Sequence, residues 1–324
     1  MHRRDFVKLG MGAGATALAG WTTHASADFD FDHFRMDEWR KDSRVAKTRF
    51  GSISYTMRGS GDPALFLHGF PLSGFQWRGP VEQLELFYCC IVPDFLGLGA
   101  TEASSGQDFG AAAQAAMLIA FLDALKVDRV HVVANDSGCT VAQLLAARHP
   151  DRVRSLLLTN GDTERQSPPP AMLPVIDLSR KGQFAGQWLA PWYASHAHAR
   201  AADQFGGMCY ADPRNPSDAA IEMYFGPLLA TPERRRQVEA HAVAQASNAL
   251  VGITPALNRC QVPVRIVWGM ADTIFDPGNA DYLDKAFGAS RGVRRLDRSK
   301  LFWPEERPDV IAEEADTLWR KVRA

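Results

Sequence analysis

The chain has 324 residues, 46% hydrophobic and 23% charged, which suits a globular protein with a large buried core and excludes a disordered or fibrous one. Its 36 Lys and Arg nearly balance 37 Asp and Glu, so no global field draws it to nucleic acid or to an anionic membrane. A small molecule is the expected partner.

The chain opens with MHRRDFVKLGMGAGATALAGWTTHASA. Paired Arg3 and Arg4 precede a weakly apolar Gly/Ala-rich stretch, and Ala25-Ser26-Ala27 supplies a small-x-small cleavage site. Residues 1–27 therefore read as a twin-arginine signal peptide, recognised by the export machinery of that name. The mature protein is expected to start near Asp28 and to reach the periplasm or the exterior already folded. An apolar run of about a dozen residues falls short of the roughly 20 that span a bilayer, so no stable membrane insertion is expected after signal removal. The five cysteines (Cys89, Cys90, Cys139, Cys209, Cys260) are an odd set without ligand spacing. Neither a metal nor a cofactor is expected.

After a charged lead-in, residues 46–58 alternate as a hairpin turning at Gly51. ALFLHGF (64–70), FYCCIVPDF (87–95), RVHVVAN (129–135), RSLLLTN (154–160) and VPVRIVWG (262–269) read as short buried strands. Between them, PVEQLELF (80–87), AAAQAAMLIAFLDAL (111–125) and TVAQLLAARH (140–149) carry helical patterns. This alternation predicts an α/β fold, a mostly parallel sheet flanked by helices, with its reactive loops at the carboxyl ends of the strands.

The alternation stops at residues 163–250, where SPPPAML gives way to helix-prone, aromatic sequence. We read this stretch as an inserted helical cap over a core built from residues 28–162 and 251–324. Its Phe184, Trp188, Trp192, Tyr193, Tyr224 and Phe225 point to a small, apolar organic substrate.

Three strand-end loops carry the chemistry. In VHVVANDSGCTVAQLLAARHP (130–150) a strand turns sharply into a helix, and such an elbow admits only small residues two positions either side of its apex. With Asp136 at the apex those positions are Ala134 and Gly138; with Ser137 they are Asn135 and Cys139. Sterics favour Asp136 as the nucleophile, leaving the Ser137 amide to face the reacting centre. LHGFPLSGFQWR (67–78) should supply a second amide, from Phe70, to complete an oxyanion hole. His68 is expected to hold that loop, and Trp77 either lines the pocket or packs in the core. In WGMADTIFD (268–276), Asp272 occupies the position of an acid that orients a catalytic histidine. Asp276 and Asp162 fit that position less well.

HGFP, PDFLGLGAT, the ANDSG elbow, WGMAD and PEERP, in this order, resemble the α/β-hydrolase superfamily, specifically its haloalkane dehalogenase and epoxide hydrolase branch. The resemblance implies an α/β-hydrolase fold across the mature chain and an aspartate that attacks carbon to form an ester, which a histidine-activated water then hydrolyses. The chain departs from that pattern in three places. SKLFWPEERP puts Leu301 where the histidine belongs, and Ser137 replaces the tryptophan that follows the nucleophile in dehalogenases. Tyrosines that would protonate an epoxide oxygen must come from the cap, where Tyr193, Tyr210 and Tyr224 are available.

Without a histidine, ester hydrolysis should slow by about 10² to 10⁴. Surrogate bases are His196, His198 and His241 in the cap, or Asp272 itself. Two other readings stay open: Asp136 as the acid or base of a non-hydrolytic lyase, isomerase or cyclase, and a ligand-binding protein that has lost its chemistry. An esterase using Ser137 is a further alternative.

Overall fold

The structure, a computed structural model, describes residues 31–323 apart from residue 105; the expected signal peptide lies outside the described residues. Eight strands form one sheet: β1 (Ser43–Thr48), β2 (Gly51–Arg58), β3 (Asp62–Leu67), β4 (Tyr88–Pro93), β5 (Val130–Asp136), β6 (Val153–Gly161), β7 (Val264–Gly269) and β8 (Ser290–Leu296). Their spatial order is β1-β2-β4-β3-β5-β6-β7-β8, with β2 antiparallel to both neighbours and every pair from β4 to β8 parallel.

The inner parallel strands are largely continuous apolar runs because helices cover both faces; all seven residues of β5 are buried. At the edge, β1 buries only Ala46 while β2 buries the run Ile53, Ser54, Tyr55 and Thr56, and their hairpin begins at Ser43, earlier than periodicity alone indicates. Gly51 opens β2 at φ 107°, a conformation that glycine adopts without strain. Sheet order reverses at β3: the chain passes from β3 outward to β4, then crosses back to β5 on the other side. Loops after β3 and β5 therefore diverge and leave a crevice at their carboxyl ends, the usual place for a ligand in such a sheet.

Between β6 and β7 the chain leaves the sheet for a series of helices, the longest being Met172–Arg180, Asp218–Leu229 and Pro232–Ala244. Tilted aromatic contacts hold these together: the Trp192 ring lies 5.6 Å from Trp188, 5.5 Å from Phe205 and 5.6 Å from Phe225. Arg234 fastens the layer to the sheet by donating to the carbonyls of Thr101 (2.8 Å) and Gly99 (2.5 Å). Phe70 of the β3 loop stacks on Phe184 at 5.9 Å. None of the described helices is long and apolar enough to cross a membrane.

Candidate active site

The elbow is built by crowding. Asp136 ends β5 and caps the helix Ser137–Arg148 with φ 56° and ψ −134°, a backbone state few non-glycine residues adopt. Its neighbours have no room for side chains. A Cβ on Gly138 would stand 2.7 Å from the Leu67 carbonyl, one on Gly161 would stand 2.5 Å from the Asp136 carbonyl, and one on Gly69 would meet the Asp136 Cβ at 2.6 Å. Two of these glycines, Gly161 at the end of β6 and Gly69 in the loop after β3, lie outside the elbow and escape inspection of its sequence alone.

The Asp136 side chain is 8% exposed. Its Oδ1 accepts hydrogen bonds from the Phe70 amide (2.9 Å) and the Ser137 amide (2.5 Å), the two donors expected to form an oxyanion hole. Burial pushes the Asp136 carboxyl above the ordinary carboxylate range, and these two amides pull it back. Asp136 opens onto a cavity of about 100 Å³ walled by Phe184, Trp188, Trp192 and Phe205 of the cap and by Phe275, Leu301 and Phe302 of the body. Ser137 lines instead a smaller space, about 40 Å³, behind it.

Asp272 follows β7 with both oxygens engaged. Oδ1 accepts from the Ile274 amide and Oδ2 from Asn160 Nδ2, each at 2.8 Å. Burial raises its carboxyl to about 6 against these bonds, with the Asp136 charge adding to the rise. Unlike Ile274 and Phe275, Asp272 does not line the cavity. The Leu301 loop lies between the two acids: the Leu301 carbonyl accepts from Asn135 Nδ2 at 3.1 Å, and the Ser299 carbonyl accepts from the Ala271 amide at 3.0 Å. Leu301 is 2% exposed and its side chain forms part of the cavity wall beside Asp136.

A polar network that sequence reasoning missed ties these loops together. Gln76 accepts from the Gly69 amide (3.0 Å) and donates to Asn135 Oδ1 (2.6 Å), while Asn135 Nδ2 also donates to Thr159 Oγ1 (2.7 Å). Asn160 Oδ1 accepts from the Gly269 amide (2.7 Å) and Trp303 Nε1 (3.1 Å). Asn135 and Asn160 thus register the loops that carry Asp136, Phe70, Asp272 and Leu301 to one another.

Several sequence candidates lie elsewhere. Trp77 is fully buried against Phe66 in the core and does not line the cavity, because its short helical turn faces the sheet. Tyr193 is 42% exposed on the outer cap face. Tyr224 is buried beside Arg78, and Tyr210 donates to Glu305, so neither lines the cavity. His196 pairs with Asp218 and His198 is exposed. His68 is spent on its loop: Nδ1 donates to the Gly69 carbonyl and Nε2 accepts from the Phe95 amide. His241 stacks 5.4 Å behind Phe70, donates to the Leu96 carbonyl, and lines the smaller space. Asp162, just past β6, lines both spaces. Asp276 caps its own turn by accepting from the Gly278 amide. Cys209, Met172 and Met208 also line the main cavity, and no signal in the sequence marked them. All five cysteines are free, and the described residues contain no group of three metal-capable side chains.

A family model described as alpha/beta hydrolase fold matches residues 62–298. The chain is similar to a haloalkane dehalogenase of Mycobacterium bovis, 28% identical over 287 residues, covering 84% of this chain and 92% of that one. It is also similar to an epoxide hydrolase of Siraitia grosvenorii, 38% identical over 101 residues, covering 31% of this chain and 32% of that one. Among solved structures, a thermophilic esterase from Thermogutta terrifontis superposes with a TM-score of 0.68 at 21% identity, over 87% of this chain and 99% of that one.

Proposed function

Because the chain belongs to the α/β-hydrolase superfamily, in its haloalkane dehalogenase and epoxide hydrolase branch, we propose that it alkylates itself at Asp136 on small apolar electrophiles and releases the product slowly. The observation that carries this reading is the position of the carboxylate: Asp136 faces the apolar cavity with Oδ1 on two amides. Its second oxygen is then the attacking atom. The carbon–halogen or epoxide carbon–oxygen bond breaks as the Asp136–carbon bond forms. In the next step the amides of Phe70 and Ser137 face the charge that develops when water adds to the ester carbonyl.

Leu301 can neither accept a proton nor orient water, so the ester should persist about 10² to 10⁴ longer than it would beside a histidine base. With no tyrosine among the described residues of the cavity wall, an alkyl halide suits the site better than an epoxide, whose oxygen needs a proton donor. The test is to incubate the protein with n-butyl bromide and styrene oxide and weigh it intact. A butyl adduct on the Asp136 peptide is expected. A panel of such electrophiles that yields neither adduct nor turnover would falsify the proposal.

Leu301 also favours a second reading, in which Asp136 serves as acid or base in a non-hydrolytic reaction. Product formed in labelled water without label in product or protein would establish it. The export expectation belongs to the same proposal: a periplasmic protein whose mass begins near Asp28 would support it, and a cytoplasmic full-length chain would oppose it.

A further inference from the structure

Three carboxylates meet at the strand ends. Asp136 and Asp272 have been placed above; Asp162 follows β6 directly. The register of β5 on β6 sets Asp136 opposite Gly161, so the next residue, Asp162, begins beside the nucleophile. Asp162 is 5% exposed and lines the cavity that holds Asp136. Gln245 lines the same cavity, and its Nε2, buried, has no hydrogen-bond partner. It is the one such donor among the described residues of that wall. Leaving a buried donor without a partner is costly, so an unpaired amide on the same wall as a carboxylate marks a place for a polar guest.

We propose that Asp162 is the general base that activates the hydrolytic water, with Gln245 holding that water between them. This rests on Asp136 being the nucleophile. Asp272 does not line the cavity, so it does not meet a water held there. His241 lines only the smaller space behind.

The step balances as follows. The Asp162 carboxylate takes a proton from water as the water oxygen bonds to Asp136 Cγ, and the oxyanion forms at the Phe70 and Ser137 amides. Collapse breaks the bond from Cγ to the alkoxy oxygen, and the Asp162 carboxyl returns its proton to the departing alkoxide. Alcohol, the Asp162 carboxylate and a protonated Asp136 carboxyl result, and the Asp136 proton then passes to solvent.

The charges that face Asp162 set the timing. Of the titratable groups that face it, Asp136 on β5 carries the charge, whereas burial keeps Cys139 on the following helix and His241 across the smaller space neutral near pH 7; hydroxyls of Ser167 and Thr140 are bonded to it. In the resting protein, burial and then the Asp136 charge push Asp162 up to about 7. Esterification neutralises Asp136, which removes that repulsion and frees Asp162 to ionise at the moment a base is needed.

The experiment follows loss of the butyl adduct by intact mass after excess n-butyl bromide is removed. In the unmodified protein, loss should rise with pH to a plateau with a midpoint below 7. Asp162→Asn should form the adduct normally, lose it about 10²-fold more slowly, and show no such pH dependence. Asp162→Glu should restore part of the rate together with the pH profile. Adduct loss in Asp162→Asn at the original rate and pH profile overturns the role of Asp162 while leaving Asp136 in place. Absence of any adduct in the unmodified protein overturns the nucleophile, and this inference with it.

Discussion

Leu301→His restores the residue type that the branch places here, and the structure allows its effect to be sized. The backbone at 301 is pinned on one side by Asn135 and its loop on the other by the Ala271 amide, so a side chain there stands between the elbow and the acid turn. Asp272 is already oriented by Asn160 and Ile274, and each of its oxygens retains a lone pair for an imidazole N–H. A histidine so held should accept the proton of the attacking water and speed adduct loss by about 10² to 10⁴, or roughly 3–5 kcal/mol of barrier. Removing a fully buried leucine costs about 1.5–3 kcal/mol. A hydrogen bond to the Asp272 carboxylate returns about 1.5–3 kcal/mol, so the variant should fold. Adduct decay after a single turnover with n-butyl bromide, read by intact mass beside a thermal melt, measures both. A folded variant that forms the adduct and releases it no faster than the original protein would refute the geometry assigned to this loop.

The remaining predictions need simpler measurements. Asp136→Asn should give no adduct with any alkyl halide, while Ser137→Ala should alkylate at nearly the original rate because Ser137 contributes its amide; loss of reaction in the serine variant alone would return the chemistry to the hydroxyl. Asp162 has a raised carboxyl, so its contribution to stability is full below its ordinary value of 3.8 and is lost as pH rises through about 7. That shift is worth up to about 4 kcal/mol, so Asp162→Asn should melt higher than the original protein at pH 8 and not at pH 4, and parallel melting curves would count against the burial of this charge. His241 has the opposite sign: burial lowers it to about 4, so its contribution is present above 6.5 and is lost as pH falls toward 4. His241→Gln keeps a donor for the Leu96 carbonyl and should remove about 3 kcal/mol of acid sensitivity, measured by denaturant unfolding at pH 7 and 4.5.

The strands that build the site were legible because their burial on both faces writes an unbroken apolar run, as in VHVVAN of β5. β8 was not legible for the converse reason. SRGVRRL is an edge strand with no fully buried residue, and its arginines face solvent or pair with acids of neighbouring helices. The charged lead-in, likewise without an apolar run, forms the helix Phe31–Lys41. In the cap, composition identified the aromatic wall but not its phase. Phe184, Trp188 and Trp192 line the cavity, whereas Phe225 packs one layer behind and Tyr193 points outward. Which face a helix turns to a pocket depends on crossing angles that single-sequence periodicity does not contain. Asn135 shows the same limit at one residue: beside the elbow it reads as an unfavourably large neighbour, and only the fold reveals it as the joint between three loops.

Leucine in place of histidine alters more than proton transfer. A histidine between Asp136 and Asp272 can carry a positive charge that both carboxylates share; a leucine leaves them, and Asp162 nearby, as like charges in a water-poor space. Repulsion from Asp136 accordingly raises both Asp162 and Asp272, in addition to the effect of burial. A site of this kind cannot hold three ionised acids cheaply, so protons must be distributed among them at neutral pH. The two amide donors favour leaving Asp136 as the charged member. Ionisation is thereby concentrated on the group with the best access to an electrophile. The same repulsion disfavours an ionised Asp162 while Asp136 is charged, so under the proposed alkylation the base gains strength when its neighbour is discharged, and the loss of the histidine is compatible with a slow but complete cycle.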